Sequence, residues 1–535
     1  MSQDARLDEE QATLRRARII GMNYVDTSKI TDKVLYKDLL SVSDLQLLRL
    51  IPLRADEHNI IFGVTTTTSQ QTMAAIRNRF LDQTVSFSII SETGFTDYMR
   101  LYNPPAQIKY QDIKLNNIDS SSLVEQISSL LQQVKADDML AYLVEQAHRL
   151  NASDIHIETQ GVDVRIRFRI DGVLHPIAKL FLDKYRVLIA AIASAGNIST
   201  SSDEAQQGHI AQKVVMADGR KVDVNVRLET IQTINGMDVV MRLFNMTADM
   251  YTLERLGLSD KERAAVDDII ARPSGLVMVV GPTGSGKTTT LYSMLNTLNV
   301  DTRKIITIED PVEYQFSGIT QISVKAKLGA EQTNFADKLR AVLRLDPDIV
   351  MVGEIRDMDT ARTALQAALT GHLVLTTFHA SSAAAALTRL GDIIGKNPLF
   401  VSAIRLVMAQ RLIRKLDDEI KEAYSPSESE LQLITRVLMT LPADTPRPNI
   451  DGLQLYKPGH STDNPFGYKG QFAIREQFTM TSQLRALLEK PETVLSTQSI
   501  EAAATASGMH TMLQDGILKV IAGQTTMDEI FRVVG

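Results

Sequence analysis

Residues 281–288 read GPTGSGKT, a complete GxxxxGK[ST] phosphate-binding loop, and the flanks dictate how the chain folds around it. Leu276–Val280 is an apolar run of strand length, and Thr289–Leu295 reads as a helix. A strand that breaks through a glycine-rich turn into a helix aims backbone N–H groups and the positive end of a helix dipole at one point. A phosphate chain fits there. On this reading Gly281, Pro282, Thr283, Gly284, Ser285, Gly286, Lys287, Thr288 and Thr289 cradle the phosphates. Lys287 reaches the terminal phosphates and Thr288 ligates Mg²⁺. The chain is expected to bind a nucleoside triphosphate.

At 535 residues the chain is too long for one hydrophobic core, and roughly two to four domains are expected. A hydrophobic content of 44% and a charged content of 23% are those of an ordinary globular protein. The net charge of −7 argues against a broad nucleic-acid surface, so no nucleic acid is expected as a partner. No apolar run approaches the roughly 18–20 residues that cross a bilayer. The start, MSQDARLDEEQ, is polar and acidic, unlike a signal peptide, which fits a cytoplasmic location. The absence of cysteine excludes disulfides, thiolate zinc sites and cysteine nucleophiles.

Residues 1–105 form a first α/β block with strand-like runs at Leu50–Leu53, Asn59–Val64 and Val85–Ile90 and a helix-like Gln70–Asp82. It ends at Asn103-Pro104-Pro105. Residues 106–135 read as a linker with one amphipathic helix. The second block, 136–247, opens with helical spacing over Asp137–Leu150. Val162, Val164, Ile166, Phe168 and Ile170 then alternate with Asp163, Arg165, Arg167 and Arg169, a half-buried strand closed by a turn at Asp171-Gly172. A second alternating strand, Val222–Glu229, leads to a turn at Asn235-Gly236. With those two as the turn, paired positions place Arg227 opposite Phe244 and Arg242 diagonally on the same face. This is a small α+β domain with an arginine-bearing sheet.

The third block, 248–535, begins with a capping box, Ser259 with Glu262, and continues in βα units. Apolar strands at Lys304–Asp310, Asp348–Glu354 and His372–Thr377 imply a parallel sheet covered on both faces, with ligands at the carboxyl ends of its strands. One strand runs into Glu309-Asp310-Pro311-Val312-Glu313, another into Gly353-Glu354, and the third lies between His372 and His379. Phosphoryl transfer to water needs a metal near the β/γ-phosphates and a carboxylate that orients the water, and two acidic strand ends supply both. The histidines are a weaker signal, since each also reads as a satisfied structural side chain.

The ordered set GPTGSGKTTTLYSML, ITIEDPVEY, LRLDPDIVMVGEIRD and TGHLVLTTFHA resembles the type II secretion and type IV pilus assembly ATPase family. ASDIHIE, VRIRFRIDGVL and VVMRLF resemble that family's second N-terminal domain, and the likeness covers about residues 136–415 closely. It implies a RecA-like P-loop ATPase core, a PAS-like α+β domain at 136–247, and a homo-hexameric ring that uses ATP and Mg²⁺. It also implies docking at the inner face of the cytoplasmic membrane on a platform protein, with a membrane-associated cytoplasmic ring protein as a further partner. Carried onto this chain, Gly353-Glu354 is the Walker B element, with Glu354 assisting Thr288 at the metal partly through water. Glu309–Glu313 is the acidic box, with Glu313 activating water, and Gly371–His379 is the histidine box, which brings in His372 and His379. Arg227 and Arg242 match the arginines that complete a neighbour's site.

Residues 1–105 resemble the leading domain of assembly ATPases, which favours pilin or pseudopilin assembly over the alternatives, a pilus retraction ATPase or a DNA-transfer ATPase. One departure from the family stands out. Assembly ATPases commonly carry a four-cysteine zinc module after the histidine box, whereas residues 417–466 hold no cysteine. Ser427 and Glu430 there cap an amphipathic helix bearing Leu431, Ile434, Val437, Leu438 and Leu441. A zinc-free replacement held by apolar packing is expected.

Overall fold

The computed structural model describes residues 3–30, 32–103, 113, 120–135, 138–215, 221–244, 250–324, 335–395, 399–461, 464, 466–489 and 496–534. The chain divides into two compact units, Met1–Tyr110 and Gln111–Gly535. Pro104, Pro105 and most of the expected linker, 106–112 and 114–119, lie outside the described residues.

The first unit runs α1 (Gln3–Ile20), β1 (Asn23–Tyr24), α2 (Val42–Leu48), β2 (Leu50–Ala55), β3 (Asn59–Val64), α3 (Gln70–Arg79), β4 (Thr84–Ile89) and α4 (Glu92–Tyr102). The sheet order is β1-β4-β3-β2, with β1, β4 and β3 parallel and β2 antiparallel to β3. Leu50, Ile60, Phe62, Ile89 and Tyr98 fill its core. Helix α1 is tied on by carboxylates at the start of α4: Thr93 N–H donates to Glu9 at 3.1 Å and Ser91 Oγ to Glu10 at 2.7 Å. Negative charge is stabilised at that positive helix end.

The second unit begins with α5 (Ser120–Gln133) and α6 (Met139–Arg149). Then follow β5 (Ala152–Thr159), β6 (Asp163–Ile170), β7 (Val173–Phe181), α7 (Leu182–Gly196), β8 (Gln206–Val215), β9 (Lys221–Thr233) and β10 (Gly236–Phe244). The six strands form an antiparallel sheet ordered β7-β6-β5-β10-β9-β8. Helix α5, read from the sequence as part of a linker, packs on β7. It buries Ile127 and Leu131, and Lys179 N–H donates to Ser128 Oγ at 2.8 Å. An amphipathic helix that finds an apolar strand beside it has no reason to stay free.

Alternation along the strands sorts the two faces of this sheet. Ile155, Ile157, Val164, Ile166, Phe168, Val226 and Leu228 are buried, while Arg165 and Arg167 pair with Glu158 on the polar side. Asp171 and Gly172, with φ of 47° and 78°, form the expected turn, joining Ile170 to Val173. The other turn differs from expectation. Thr233 pairs with Gly236, so Ile234-Asn235 is the loop and Arg242 lies directly opposite Arg227, not Phe244. Thr233 Oγ1 donates to Gly236 O at 2.8 Å and accepts Asn235 N–H at 3.2 Å, and these bonds fix the loop one residue early. The pairing slips by an even number of residues, so both arginines keep their face.

The core follows with α8 (Asp260–Ile270), β11 (Gly275–Val280), α9 (Lys287–Leu298), β12 (Ile305–Glu309), β13 (Thr320–Ser323), α10 (Phe335–Val342) and β14 (Ile349–Val352). It continues with α11 (Met358–Leu369), β15 (Leu373–Phe378), α12 (Ala383–Ile394), α13 (Leu399–Ala403) and β16 (Ile404–Leu416). The last strands are β17 (Glu422–Tyr424), β18 (Leu455–Lys457) and β19 (Tyr468–Thr479), with α14 (Glu428–Met439) between the first two. Strands β17 and β18 pair as a separate ribbon, and the main sheet runs β13-β12-β14-β15-β11-β16-β19. Its strands are parallel except β19, which lies antiparallel on β16. Met278, Ile308, Val350 and Val374 belong to one buried layer and Val277, Val279, Ile305 and Met351 to the other. These near-continuous apolar strands match a parallel sheet covered on both faces.

The segment between β16 and β19 is built on apolar contacts. Ser427 and Glu430 form the capping box of α14, whose Ile434, Val437 and Leu438, with Leu441 and Leu455, join the layer under the main sheet. No helix among the described residues is long and apolar enough to cross a membrane.

Candidate nucleotide site

The phosphate loop leaves β11 at Val280 and enters α9 at Lys287. Gly286 caps this helix with a φ of 81° and no side-chain hydrogen bond, so backbone N–H groups of its first turn face the loop uncapped by a side chain. Gly281 has a φ of 153°, and a Cβ there would lie 2.5 Å from Ser285 Oγ and 2.7 Å from Gln410 O, so only glycine fits. Pro282, Thr283 and Gly284 form the exposed tip, and Thr288 and Thr289 are half-buried in the first turn of α9. The Lys287 ammonium donates to Gly281 O at 3.1 Å and Pro282 O at 2.7 Å, lying along the inside of the loop. Burial holds the Lys287 pKa below its ordinary value, opposed by the charges of Glu354 and Glu313.

Gln410, buried on β16, supports the loop from below. Its Nε2 donates to Ser285 O at 2.6 Å and its Oε1 accepts from Thr290 Oγ1 at 2.9 Å. In the sequence Gln410 follows the apolar run Leu406–Ala409 and precedes Arg411, and nothing there marks it as a support for the loop.

Because β11, β15, β14 and β12 are parallel neighbours, their carboxyl ends bring the acidic and histidine segments to the loop side of the sheet. Glu354 follows β14. Its carboxylate is bonded to Arg356, and its Oε2 lies 3.3 Å from His379 Nε2. Arg356 also lies 3.5 Å from Asp310, so one guanidinium bridges the two acidic strand ends. Arg356 stands two residues after Glu354 in the motif, and its sequence position alone gives no sign of this bridge. His379 follows β15, half-exposed, with its carbonyl accepting from Arg389 at 2.7 Å.

His372 does not join this group. It precedes β15, so the length of that strand, about 20 Å at 3.3 Å per residue, separates it from the loop end. Its Nδ1 lies 3.1 Å from Ala367 O, and its carbonyl accepts Gly275 N–H at 3.1 Å. Within this chain the histidine box spans a whole strand, and its two ends lie on opposite rims of the sheet, with His372 on the rim away from the loop.

Glu309 and Glu313 separate in role. Glu309 is buried at the end of β12 and surrounded by donors, whereas the Glu313 residue is exposed. Crowding by protein on either side and then the charge of Glu309 push the Glu313 carboxyl above the usual range; Arg242, Arg227 and Lys287 pull the other way. The two arginines of the second-domain sheet thus bear on Glu313 of their own chain. Arg242 Nε donates to Asp154 at 3.0 Å, Arg227 lies 3.1 Å from Glu229, and both are held with their charges already engaged.

Lys287 thus lies close enough to Glu313 and Glu354 for their charges to act on it, and Arg227 and Arg242 lie close enough to act on Glu313. Residues 132–532 match the family model described as Type II/IV secretion system protein. The chain is 37% identical over 482 residues to Type II secretion system protein E of Pseudomonas aeruginosa, covering 87% of this chain and 90% of that one. It is 38% identical over 428 residues to the Xanthomonas campestris protein of the same name, covering 78% of this chain and 70% of that one. Against the Type IV pilus assembly ATPase PilB of Thermus thermophilus the identity is 33%, over 90% of this chain and 51% of that one. The crystal structure of the Legionella pneumophila ATPase DotB shares the fold, with a TM-score of 0.55 at 24% identity over 75% of this chain and 96% of that one. With a family match across most of its length and relatives this similar, the chain belongs to the Type II/IV secretion system protein family.

Proposed function

We propose that this chain is a Mg²⁺-dependent ATPase motor that powers assembly of a type IV pilus or of a type II secretion pseudopilus. The observation that carries the reading is the phosphate loop on β11 sharing one rim of the sheet with Glu313 and Glu354. The names of the relatives supply the secretion and pilus-assembly context. The working unit is a homo-hexameric ring at the inner face of the cytoplasmic membrane, docked on a platform protein.

ATP enters as the substrate, its phosphates in the glycine cradle and its terminal phosphoryl group by Lys287. Glu313 orients a water and takes its proton as the water oxygen bonds to the γ-phosphorus and the bond to the β-phosphate oxygen breaks. Arg227, Arg242 and Lys287 offset the charge that develops on the phosphoryl oxygens. Thr288 and Glu354, the latter through water, would hold Mg²⁺, which would supply positive charge to the transferring phosphoryl group. A hydroxyl and a carboxylate are hard oxygen donors, and so small a protein set suits Mg²⁺.

The test is ATP hydrolysis by the assembled protein with and without Mg²⁺. Wild type should turn over only with the metal, and Lys287→Ala should neither hydrolyse nor bind ATP tightly. Absence of hydrolysis by assembled wild-type rings with Mg²⁺ would overturn the proposal.

A further inference from the structure

Glu309 sits among the chemistry yet has little capacity left for it. The Tyr292 and Thr307 hydroxyls donate to its two oxygens, and Gln321 Nε2 donates at 3.1 Å. A buried carboxylate with three donors around it is a fixture. One of those donors has a second bond. The Tyr292 hydroxyl accepts the backbone N–H of Glu313 at 3.2 Å, so a chain of bonds runs from Glu313 through Tyr292 to Glu309. A phenol that donates to a carboxylate becomes a stronger acceptor, and the two bonds reinforce each other.

The Tyr292 ring has little room to turn. It is fully buried, with edge contacts to Tyr251 at 5.1 Å and Phe316 at 5.1 Å between centroids. Gln321, on the edge strand β13, fastens the far side of the same loop. Its Nε2 also donates to Tyr314 O at 2.9 Å, and its Oε1 accepts Phe316 N–H at 2.8 Å. The segment carrying Glu313 is therefore held at residues on both sides of the carboxylate, with Tyr292 the attachment at Glu313 itself.

Tyr292 also lies on α9, the helix that opens with Lys287 and Thr288. The phosphate-binding groups and the support for the acidic loop thus share one rigid element. We propose that Tyr292 is the positioning residue for Glu313, using its hydroxyl to fix the Glu313 backbone to Glu309 at a set distance from the phosphate loop. This rests on the reading of Glu313 as the carboxylate that activates water. Burial and the Glu309 charge keep the Tyr292 hydroxyl protonated, as the bridging role requires.

The test is a kinetic cycle on assembled full-length protein with Tyr292→Phe, Glu313→Gln and the double variant. Tyr292→Phe keeps the ring and removes the bridge. Its kcat should fall about tenfold, as expected for one well-placed hydrogen bond, with KM and the affinity for a non-hydrolysable ATP analogue unchanged within about twofold. The double variant should be no slower than Glu313→Gln alone, because Tyr292 acts through Glu313. Equal losses in kcat and analogue affinity, or losses that multiply in the double variant, would mean a general structural role and overturn the inference. Near-normal kcat in Tyr292→Phe beside a slow Glu313→Gln would overturn the inference alone. Normal turnover by Glu313→Gln would overturn the reading beneath it. Should Tyr292→Phe melt well below wild type, Glu309→Gln gives the second arm. It removes the charge that anchors the bridge and should lower kcat at unchanged analogue affinity, and an unchanged kcat there would also overturn the inference.

Discussion

At the scale of single residues, the proposed site divides into groups placed to receive phosphates and groups that set the properties of Glu313. Glu313→Gln should retain nucleotide affinity while turnover falls by about 10²-fold or more, read as kcat against analogue binding. Glu354→Gln should also slow turnover, and added Mg²⁺ should restore part of the rate if the loss is at the metal. The neighbours of Glu313 make a prediction with opposite signs. The base must be deprotonated to act, so its raised pKa places the acid limb of kcat above the ordinary carboxylate range. Glu309→Gln removes a negative neighbour, lowers the Glu313 pKa and should move that limb to lower pH. Arg242→Lys keeps the charge and should leave the limb in place, whereas Arg242→Ala should move it to higher pH. A limb that shifts in the same direction for Glu309→Gln and Arg242→Ala would show that another group is titrating. The sequence exposed the residues with chemical motifs at this scale, because glycines, lysine and acids at fixed spacing have few other uses. It hid Tyr292, Gln410 and Gln321, whose roles arise from partners 17, 125 and 12 residues away, and a buried tyrosine on a helix reads simply as core.

At the scale of elements, periodicity was most informative where one face is buried. The alternation through Val162–Ile170 and Val222–Glu229 fixed two strands, and the capping boxes at Ser259 and Ser427 fixed two helix starts within a residue. It failed at the Asn235-Gly236 turn because Thr233 forms side-chain bonds that the dipeptide rule ignores. It failed at α5 because packing against β7 is a long-range event that composition does not announce. The segment between β16 and β19 offers a stability test. Leu438→Ala should destabilise the core by about 2–5 kcal/mol, since its side chain joins the layer under the sheet. Purified protein should carry no stoichiometric zinc, and chelators should leave its melting temperature unchanged. Elemental analysis finding one zinc per chain would contradict the apolar account of this segment.

At the scale of the whole molecule, Arg227 and Arg242 of the second-domain sheet lie close enough to Glu313 of the same chain for their charges to lower its pKa. Mixed rings test whether that placement persists in the assembly. Subunits with Lys287→Ala and subunits with Arg227→Ala/Arg242→Ala should each be inactive, and mixing them should recover nothing if the arginines act within their own chain. Recovered ATPase activity after confirmed subunit exchange would assign them to the neighbour instead. The βα order of the core and the parallel sheet were legible from apolar strands alternating with helices, and so was the rim that carries the GPTGSGKT loop. The distance that removes His372 was not, because a motif written in one dimension gives no sign that it runs from one rim to the other.

The pairing of Leu416 with Tyr468 leaves the two ends of the intervening segment on neighbouring strands, about 4.8 Å apart. A segment whose ends close at one strand spacing behaves as an interchangeable cassette. Loop closure grows only slowly more costly with length, so the sheet can accept a compact domain, a ribbon with a helix or a short hairpin at this point without changing its own register. The way this segment is stabilised, here apolar packing under the sheet, can therefore change while the rim that carries the phosphate loop stays as it is.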